Sequence, residues 1–243
     1  LSIRIAEIIY KGFWIALDWI YPPVCAGCGE PGYRLCDRCR EQIEFIRGNI
    51  CQICGQPLAK TSGICHDCEI SPPPYDALRS IAKYEGVIRE CIHSLKYENN
   101  QSLGEYFSRE LMTCIQAEDW SLDVVIPVPL SPFRIKERGY NQSALLAKPL
   151  AMGLSLRYQP HGLRRIRNTQ SQVELTAVER RRNVAGAFQA APEIVQGKNI
   201  LLVDDVTTTG ATLYECSRAL KVGGANGIYC ITITRPFHDV AVY

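Results

Sequence analysis

The chain has almost no net charge: 27 Lys and Arg stand against 25 Asp and Glu, leaving +2. That balance excludes a general electrostatic hold on nucleic acid, so any such contact has to come from a local patch. A Walker loop, Gly-x-x-x-x-Gly-Lys, occurs nowhere. There is no low-complexity tract, and 47% hydrophobic against 21% charged residues excludes collagen, long coiled coils and bulk disorder. The first twenty residues lack the small-x-small cleavage site of an exported chain. They also lack an uninterrupted apolar run of spanning length, which needs about 20 residues. Arg4, Glu7, Lys11 and Asp18 interrupt them at spacings of 3, 4 and 7, which puts the charges on one narrow stripe of a helix. Two uses fit such an amphipathic helix over residues 1–24: packing on the protein's own core, or contact with a membrane surface or partner.

Cysteine is what the chain has in excess. Of the twelve, eight form Cys25-x-x-Cys28, Cys36-x-x-Cys39, Cys51-x-x-Cys54 and Cys65-x-x-Cys68, and the other four are scattered. With no export signal the expected compartment is a reducing cytoplasm, which argues against a disulfide framework. A Cys-x-x-Cys turn offers two thiolates to one tetrahedral metal, and two turns complete a four-sulfur zinc site. Gaps of seven, eleven and ten residues make the sequential assignment simplest, Cys25, Cys28, Cys36 and Cys39 on one zinc and Cys51, Cys54, Cys65 and Cys68 on another. A crossed arrangement, pairs one and three against two and four, uses the same ligands. Iron–sulfur ligation also uses cysteine alone, but no redox partner domain is evident. Gly27, Gly29 and Gly55 give the knuckle turns room. His66 lies between two ligands and reads as an exposed neighbour.

Residues 25–70 hold no periodic hydrophobic run and cannot bury a core of their own at that length. Ser71-Pro72-Pro73-Pro74 is a stiff break, which places the domain boundary there and a second domain over 75–243. Strand and helix then alternate: strands over 77–84, 123–128, 199–203 and 227–234, helices over 87–95, 102–116, 142–152 and 211–222. Apolar strands joined by helical crossovers predict an α/β fold, a mainly parallel sheet with flanking helices, carrying a small N-terminal zinc-ribbon module.

The strongest chemical signal is Leu201-Leu202-Val203-Asp204-Asp205-Val206-Thr207-Thr208-Thr209-Gly210-Ala211-Thr212. Neither a Walker loop nor a Gly-x-Gly-x-x-Gly turn follows this strand, which is not the P-loop or dinucleotide pattern. A hydroxyl-rich turn at a helix N-terminus binds phosphate through backbone N–H groups and the positive dipole end, and Gly210 permits close approach. Asp204 and Asp205 sit at the carboxyl end of the strand, where open α/β sheets bind ligands, and suit the paired hydroxyls of a ribose. A competing reading has the Asp and Thr side chains merely cap the helix.

On these residues the chain resembles the type I phosphoribosyltransferases. Together with the Cys-rich head it is similar to the ComF family, the competence-associated phosphoribosyltransferase-like proteins that include those of GntX type. Further stretches of the family pattern are His93-Ser94-Leu95-Lys96-Tyr97, Ile126-Pro127-Val128-Pro129-Leu130, Glu137-Arg138-Gly139-Tyr140-Asn141-Gln142 and residues 165–188. The resemblance implies binding of 5-phosphoribosyl-1-pyrophosphate with Mg²⁺ and transfer of the phosphoribosyl group to an acceptor. Asp204 and Asp205 would be the catalytic acids on the ribose. Val206, Thr207, Thr208, Thr209, Gly210, Ala211 and Thr212 would hold the 5-phosphate. Pyrophosphate would meet Pro127, Val128, Pro129 and Leu130, with Arg165, Arg167, Lys96 and Arg138, and Thr169 falls in the hood. It also implies two structural zinc ions and a place in DNA uptake. The rival it leaves open is a non-catalytic nucleotide sensor, or an adaptor that binds single-stranded DNA beside a helicase partner. Ala211 departs from the general motif, where Gly or Ser is frequent.

Arg164, Arg165 and Arg167, followed by Arg180, Arg181 and Arg182, form the densest positive charge. Arginine suits bidentate phosphate contacts, although half of such a cluster is ordinary solvated surface. The polar stretch 168–172 between them reads as a loop able to close over pyrophosphate.

Overall fold

The computed structural model describes residues 22–59, 63–98, 100–167 and 176–237, apart from the side chains at 177, 178, 180 and 181. The expected opening helix, Thr169 and the loop over 168–172 lie outside those residues.

Five parallel strands form the centre in the order β1 (Ala77–Lys83), β7 (Gly227–Arg235), β6 (Asn199–Val206), β2 (Val124–Pro127), β3 (Arg157–Tyr158). All three central strands are apolar over most of their length. Leu201, Leu202, Val203, Ile228 and Ile231 are fully buried, as a parallel sheet covered on both faces requires. One face carries α3 (Gly86–Tyr97), α4 (Ser102–Gln116) and α6 (Gln142–Gly153), whose Leu95, Phe107 and Leu146 share a core with Val125 and Leu201. The other face carries α9 (Ala211–Val222) and a small antiparallel hairpin of β4 (Leu163–Arg165) and β5 (Phe188–Ala190), bracketing α7 (Ala177–Val184). A short α8 (Pro192–Val195) leads from the hairpin into β6. The hairpin, β3 and a seven-residue helix α5 (Pro132–Arg138) are elements that hydrophobic periodicity misses. Each has two to seven residues, and α5 buries none of them.

The Cys-rich segment supplies two one-turn helices, α1 (Asp37–Glu41) and α2 (His66–Ile70), and clasps the sheet edge. Cys25, Leu35, Cys36, Cys39 and Ile43 join the core of the α3 face, whereas Ile53 packs into the core of the α9 face with Leu78. Between them the chain runs antiparallel along β1: Phe45 bridges Ala82, Ile46 N–H donates to the Ile81 carbonyl at 2.9 Å, and Lys83 N–H donates to Glu44 at 3.0 Å. The segment that cannot bury a core alone therefore borrows two, and covers an edge strand that would otherwise present unpaired backbone. Gly55 makes the closest approach. Its φ is +69° and a Cβ there would meet the Leu78 carbonyl oxygen at 2.5 Å, so both conformation and space demand glycine.

Arg79 anchors the second half of the clasp. Its guanidinium grips Glu118 bidentately at 2.6 and 2.9 Å, donates to the Gln52 carbonyl at 3.0 Å and lies over the Trp120 ring. The side chain is 9% exposed, so this is a buried, fully engaged cation of the kind arginine is suited to hold.

Candidate functional site

Strand order fixes where the site falls. From β6 the chain crosses through α9 to β7 on one side, while from β2 it crosses through α6 to β3 on the other, and the two helices cover opposite faces. The crevice at the carboxyl ends of β2 and β6 is thus the switch point of the sheet, where open α/β folds bind ligands. Register does the rest: Pro127 pairs with Val203 and Val128 N–H donates to the Val203 carbonyl at 2.9 Å, so the loop over 127–130 runs beside Asp204 and Asp205.

Each acid has its own partner. Lys96 from α3 places Nζ 2.7 Å from Asp205 Oδ2, with the two side chains 22% and 10% exposed. Burial pulls the Lys96 ammonium down, but the charges of Asp205 and Asp204 outweigh it and hold it above its usual value. Asp204 Oδ1 accepts from the Ser143 hydroxyl at 2.8 Å and from the Asp205 amide at 3.0 Å. Burial first, and then the neighbouring Asp205 charge, raise the Asp204 carboxyl to about 7. Ser143 lies in the first turn of α6, whose N-cap is Asn141. The Asn141 carboxamide oxygen accepts from the Ser143 amide at 3.0 Å, and its Nδ2 donates to the Val128 carbonyl at 3.0 Å. Tyr140 donates its hydroxyl to the Leu95 carbonyl at 2.7 Å, next to Lys96. The stretch over 140–143 therefore fastens three things at once: the 127–130 loop, the Lys96 helix and the acidic pair. Ser143 and Asn141 are the residues the sequence reading gave no role. The signal available was Asn141 as an N-cap directly before the apolar helical stretch over 142–152.

Beyond the acids, Thr207 to Gly210 turn into α9. The helix N-cap is Gly210, left-handed at φ +72°, and the Thr209 hydroxyl oxygen accepts from the Ala211 amide at 3.5 Å. The Asp carboxylates are engaged with Ser143 and Lys96, whereas Thr209 is a side chain of the cluster that reaches a first-turn amide of α9. A turn of this form at a helix N-terminus offers amides and a dipole to an anion.

The basic candidates separate. Lys96 is mostly buried and ion-paired with Asp205 of the acidic pair. Arg138 closes α5, with its guanidinium 5.0 Å over the Tyr97 ring and Nη2 3.4 Å from the Tyr97 hydroxyl. Arg165 stacks on Phe188 at 5.3 Å in the hairpin, and burial lowers its guanidinium. Arg167 donates to the Asn183 and Ala185 carbonyls at 3.0 and 2.6 Å, so in this structure it ties the end of α7 to the hairpin.

The eight cysteines assemble in sequential pairs. Cys25, Cys28, Cys36 and Cys39 bring their sulfurs within 4.8 Å of one another, as do Cys51, Cys54, Cys65 and Cys68. Separations of 3.6 Å for Cys25 to Cys36, 3.7 Å for Cys28 to Cys36 and 3.6 Å for Cys54 to Cys65 match the edge of a tetrahedron with Zn–S bonds of about 2.3 Å. The amides of Cys36 and Cys65 each donate to the first sulfur of their tetrad at 3.3 Å. His66 is exposed on α2 and belongs to neither tetrad. No helix among the described residues is long and apolar enough to cross a membrane.

A family model for the double zinc ribbon domain matches residues 16–69, and one for the phosphoribosyl transferase domain matches residues 141–239. The DNA utilization protein YhgH of Salmonella typhimurium is 32% identical, covering 84% of this chain and 93% of that protein. Competence protein ComFC of Bacillus subtilis is 31% identical, with 85% and 86% covered. The chain belongs to the ComF family. Competence protein F of Haemophilus influenzae, 31% identical over 80% of this chain and 87% of its own, is a further ComF relative. Among solved structures, the glutamine phosphoribosylpyrophosphate amidotransferase of Bacillus subtilis complexed with ADP and GMP shares 22% identity over 54% of this chain and 26% of its own, with a TM-score of 0.39, an overlap too partial to inform the site. As a ComF protein this chain joins a double zinc ribbon to a phosphoribosyltransferase-type domain.

Proposed function

We propose that this ComF protein binds 5-phosphoribosyl-1-pyrophosphate with Mg²⁺ and transfers the phosphoribosyl group to an acceptor, in the service of DNA uptake or use. The observation that carries the reading is the convergence at the switch point of an acidic pair, a Thr-Gly turn that opens a helix and a loop in register beside them. The ribose hydroxyls would meet Asp204 and Asp205, and the 5-phosphate the turn over 206–212. Pyrophosphate would lie along Pro127 to Leu130, within reach of Lys96 and Arg138. Mg²⁺ would enter as the counter-ion of the pyrophosphate and supply charge neutralisation to the leaving group.

Displacement at ribose C1 passes through an oxocarbenium-like state, so the chain's own work is to orient the sugar, meet the developing charge and keep water from the activated carbon. Lys96 fits that work in two positions. It holds the Asp205 side chain in place before the sugar binds, and once ribose hydroxyls satisfy Asp205 its ammonium is free to face the departing pyrophosphate.

Calorimetry of 5-phosphoribosyl-1-pyrophosphate with Mg²⁺ on the zinc-loaded chain tests the reading. Micromolar binding weakened at least about 100-fold, or about 2.7 kcal/mol, in Asp204→Asn/Asp205→Asn is the expected result. Absence of binding in the unmodified chain would end it. Binding without pyrophosphate release to any amine or nucleobase would identify a sensor, the reading favoured by relatives named for competence and DNA utilization rather than for a reaction.

A further inference from the structure

The Thr-Gly turn opens on the zinc ribbon. Thr207 to Ala211 share the lining of a cleft of about 640 Å³ with Cys54 and Cys68 of the second tetrad and with Tyr75 and Leu78 at the start of β1. A phosphate monoester brings about 1.5 to 2 negative charges to such a turn, yet residues 206–212 contain no Lys or Arg to meet them. Among the described residues Arg235 is the one cationic side chain of the lining. Of the two carboxylates there, Glu215 is already bonded to the Gly186 amide and to Arg218, and Asp67 stands on α2 in the ribbon.

Arg235 is tied to both sides of this cleft. In the sheet register Val206 pairs with Thr234, and the Thr207 amide donates to the Thr234 carbonyl at 3.0 Å, so Arg235 directly follows the residue that anchors the turn. Its Nη1 donates to the carbonyl of Cys54, a member of the second tetrad. That knuckle is itself fixed on one side by the sheet, where the Leu78 amide donates to the Ile53 carbonyl at 2.6 Å, and on the other by its metal. Arg79, in the same clasp, has Glu118 as its counter-ion. Arg235 has none among the described residues, and its Nε finds no acceptor there. A cation tethered by a neutral carbonyl thus stands next to an anion-binding turn that has no cation of its own.

We infer that Arg235 is the cation of the 5-phosphate site and that the second zinc knuckle holds it there, so zinc at Cys51, Cys54, Cys65 and Cys68 and a phosphate on the turn strengthen each other's binding. The inference rests on the phosphoribosyl reading of the acidic pair and the turn. Linkage makes the effect reciprocal: a ligand that engages Arg235 also tightens the second site on its metal. The first tetrad, whose Cys25, Cys36 and Cys39 pack in the core of the α3 face, stands outside this linkage.

Two measurements on the zinc-loaded full chain test it. In calorimetry, Arg235→Gln should weaken 5-phosphoribosyl-1-pyrophosphate at least about tenfold, with two zinc ions still bound and affinity for Mg²⁺-pyrophosphate within about twofold. Binding within about threefold of the unmodified chain, or an equal loss for pyrophosphate, overturns the assignment. The second measurement needs no change at Arg235. Zinc release to a chelating dye is followed with and without saturating 5-phosphoribosyl-1-pyrophosphate. One of the two zinc ions of the unmodified chain, and the single zinc left in Cys25→Ser, should leave at least about fivefold more slowly with the ligand present. Equal slowing of both zinc ions, or none, refutes the linkage and leaves the phosphoribosyl site standing. If 5-phosphoribosyl-1-pyrophosphate does not bind the unmodified chain, the phosphoribosyl reading has failed and this inference with it.

Discussion

Lys96 Nζ stands 2.7 Å from Asp205 Oδ2, an ion pair that joins helix α3 to the end of strand β6 across the mouth of the crevice. Its consequence is energetic as well as geometric. Both groups are mostly buried, so removing one leaves the other charged without a partner, a change that costs about 3 kcal/mol in such settings. Lys96→Met should lower stability to denaturant by about that much. Adding Asp205→Asn should recover most of it, because the stranded carboxylate is then gone. A double-mutant cycle in urea reads the coupling; additive effects would show that the pair contributes nothing beyond its parts.

Asp204 gives a pH dependence of a definite sign. Its folded value of about 7 lies above the ordinary carboxylate value of 3.8. Between those limits the native chain keeps a proton that the unfolded chain has released, so stability falls as pH rises through the window, by up to about 1.4 kcal/mol per pH unit. Above pH 7 the contribution is level. Asp204→Asn should flatten that slope relative to the unmodified chain between pH 4.5 and 7, measured by urea unfolding at each pH. Parallel pH profiles for the two proteins would contradict the buried placement of this carboxyl.

The parallel sheet was readable because strands 199–203 and 227–234 are apolar over most of their length and alternate with helical stretches; β6, α9 and β7 lie within a few residues of those limits. The tetrads were readable because ligand spacing is local chemistry. What stayed hidden depends on which elements meet. Nothing in the local sequence ties Lys96 to Asp205, 109 positions on, and only the meeting of α3 with the end of β6 makes that ion pair. Ser143 is one serine among many until the Asn141 cap aims the start of α6 at Asp204. The β4–β5 hairpin, three residues a side, carries too few positions to show any period.

Asn141 joins two loops through one carboxamide. Asn141→Ala removes the cap of α6, which costs about 1 kcal/mol, and also the bond to the Val128 carbonyl. The expected stability loss is about 1–2 kcal/mol, with a larger effect on ligand affinity because the 127–130 loop loses its tether. Asn141→Asp keeps the cap acceptor but cannot donate to Val128. It should retain the stability and still bind 5-phosphoribosyl-1-pyrophosphate weakly. Equal affinity for Asn141→Asp and the unmodified chain would show that the tether is not needed.

Zinc should report separately from the two halves of the clasp. Cys25 and Cys39 are 2% and 3% exposed and share a core with Val87 and Cys91 on the α3 face, whereas Cys51 belongs to the half that meets Leu78 and Arg79 on the sheet edge. Metal analysis should find two zinc ions per chain, and Cys25→Ser or Cys51→Ser should each leave one. Structural zinc contributes about 10–16 kcal/mol of apparent binding free energy in finger peptides, more than the total stability of most domains. Full chelation should therefore abolish cooperative melting and not merely lower the midpoint. The two variants should also differ at the Thr-Gly turn. Cys51→Ser loosens the wall next to Arg235 and should weaken ligands there, while Cys25→Ser disturbs the opposite face and should act mainly on stability. A chain that melts cooperatively at its original temperature after both metals are removed would show that the ribbons are held by their packing on the sheet alone.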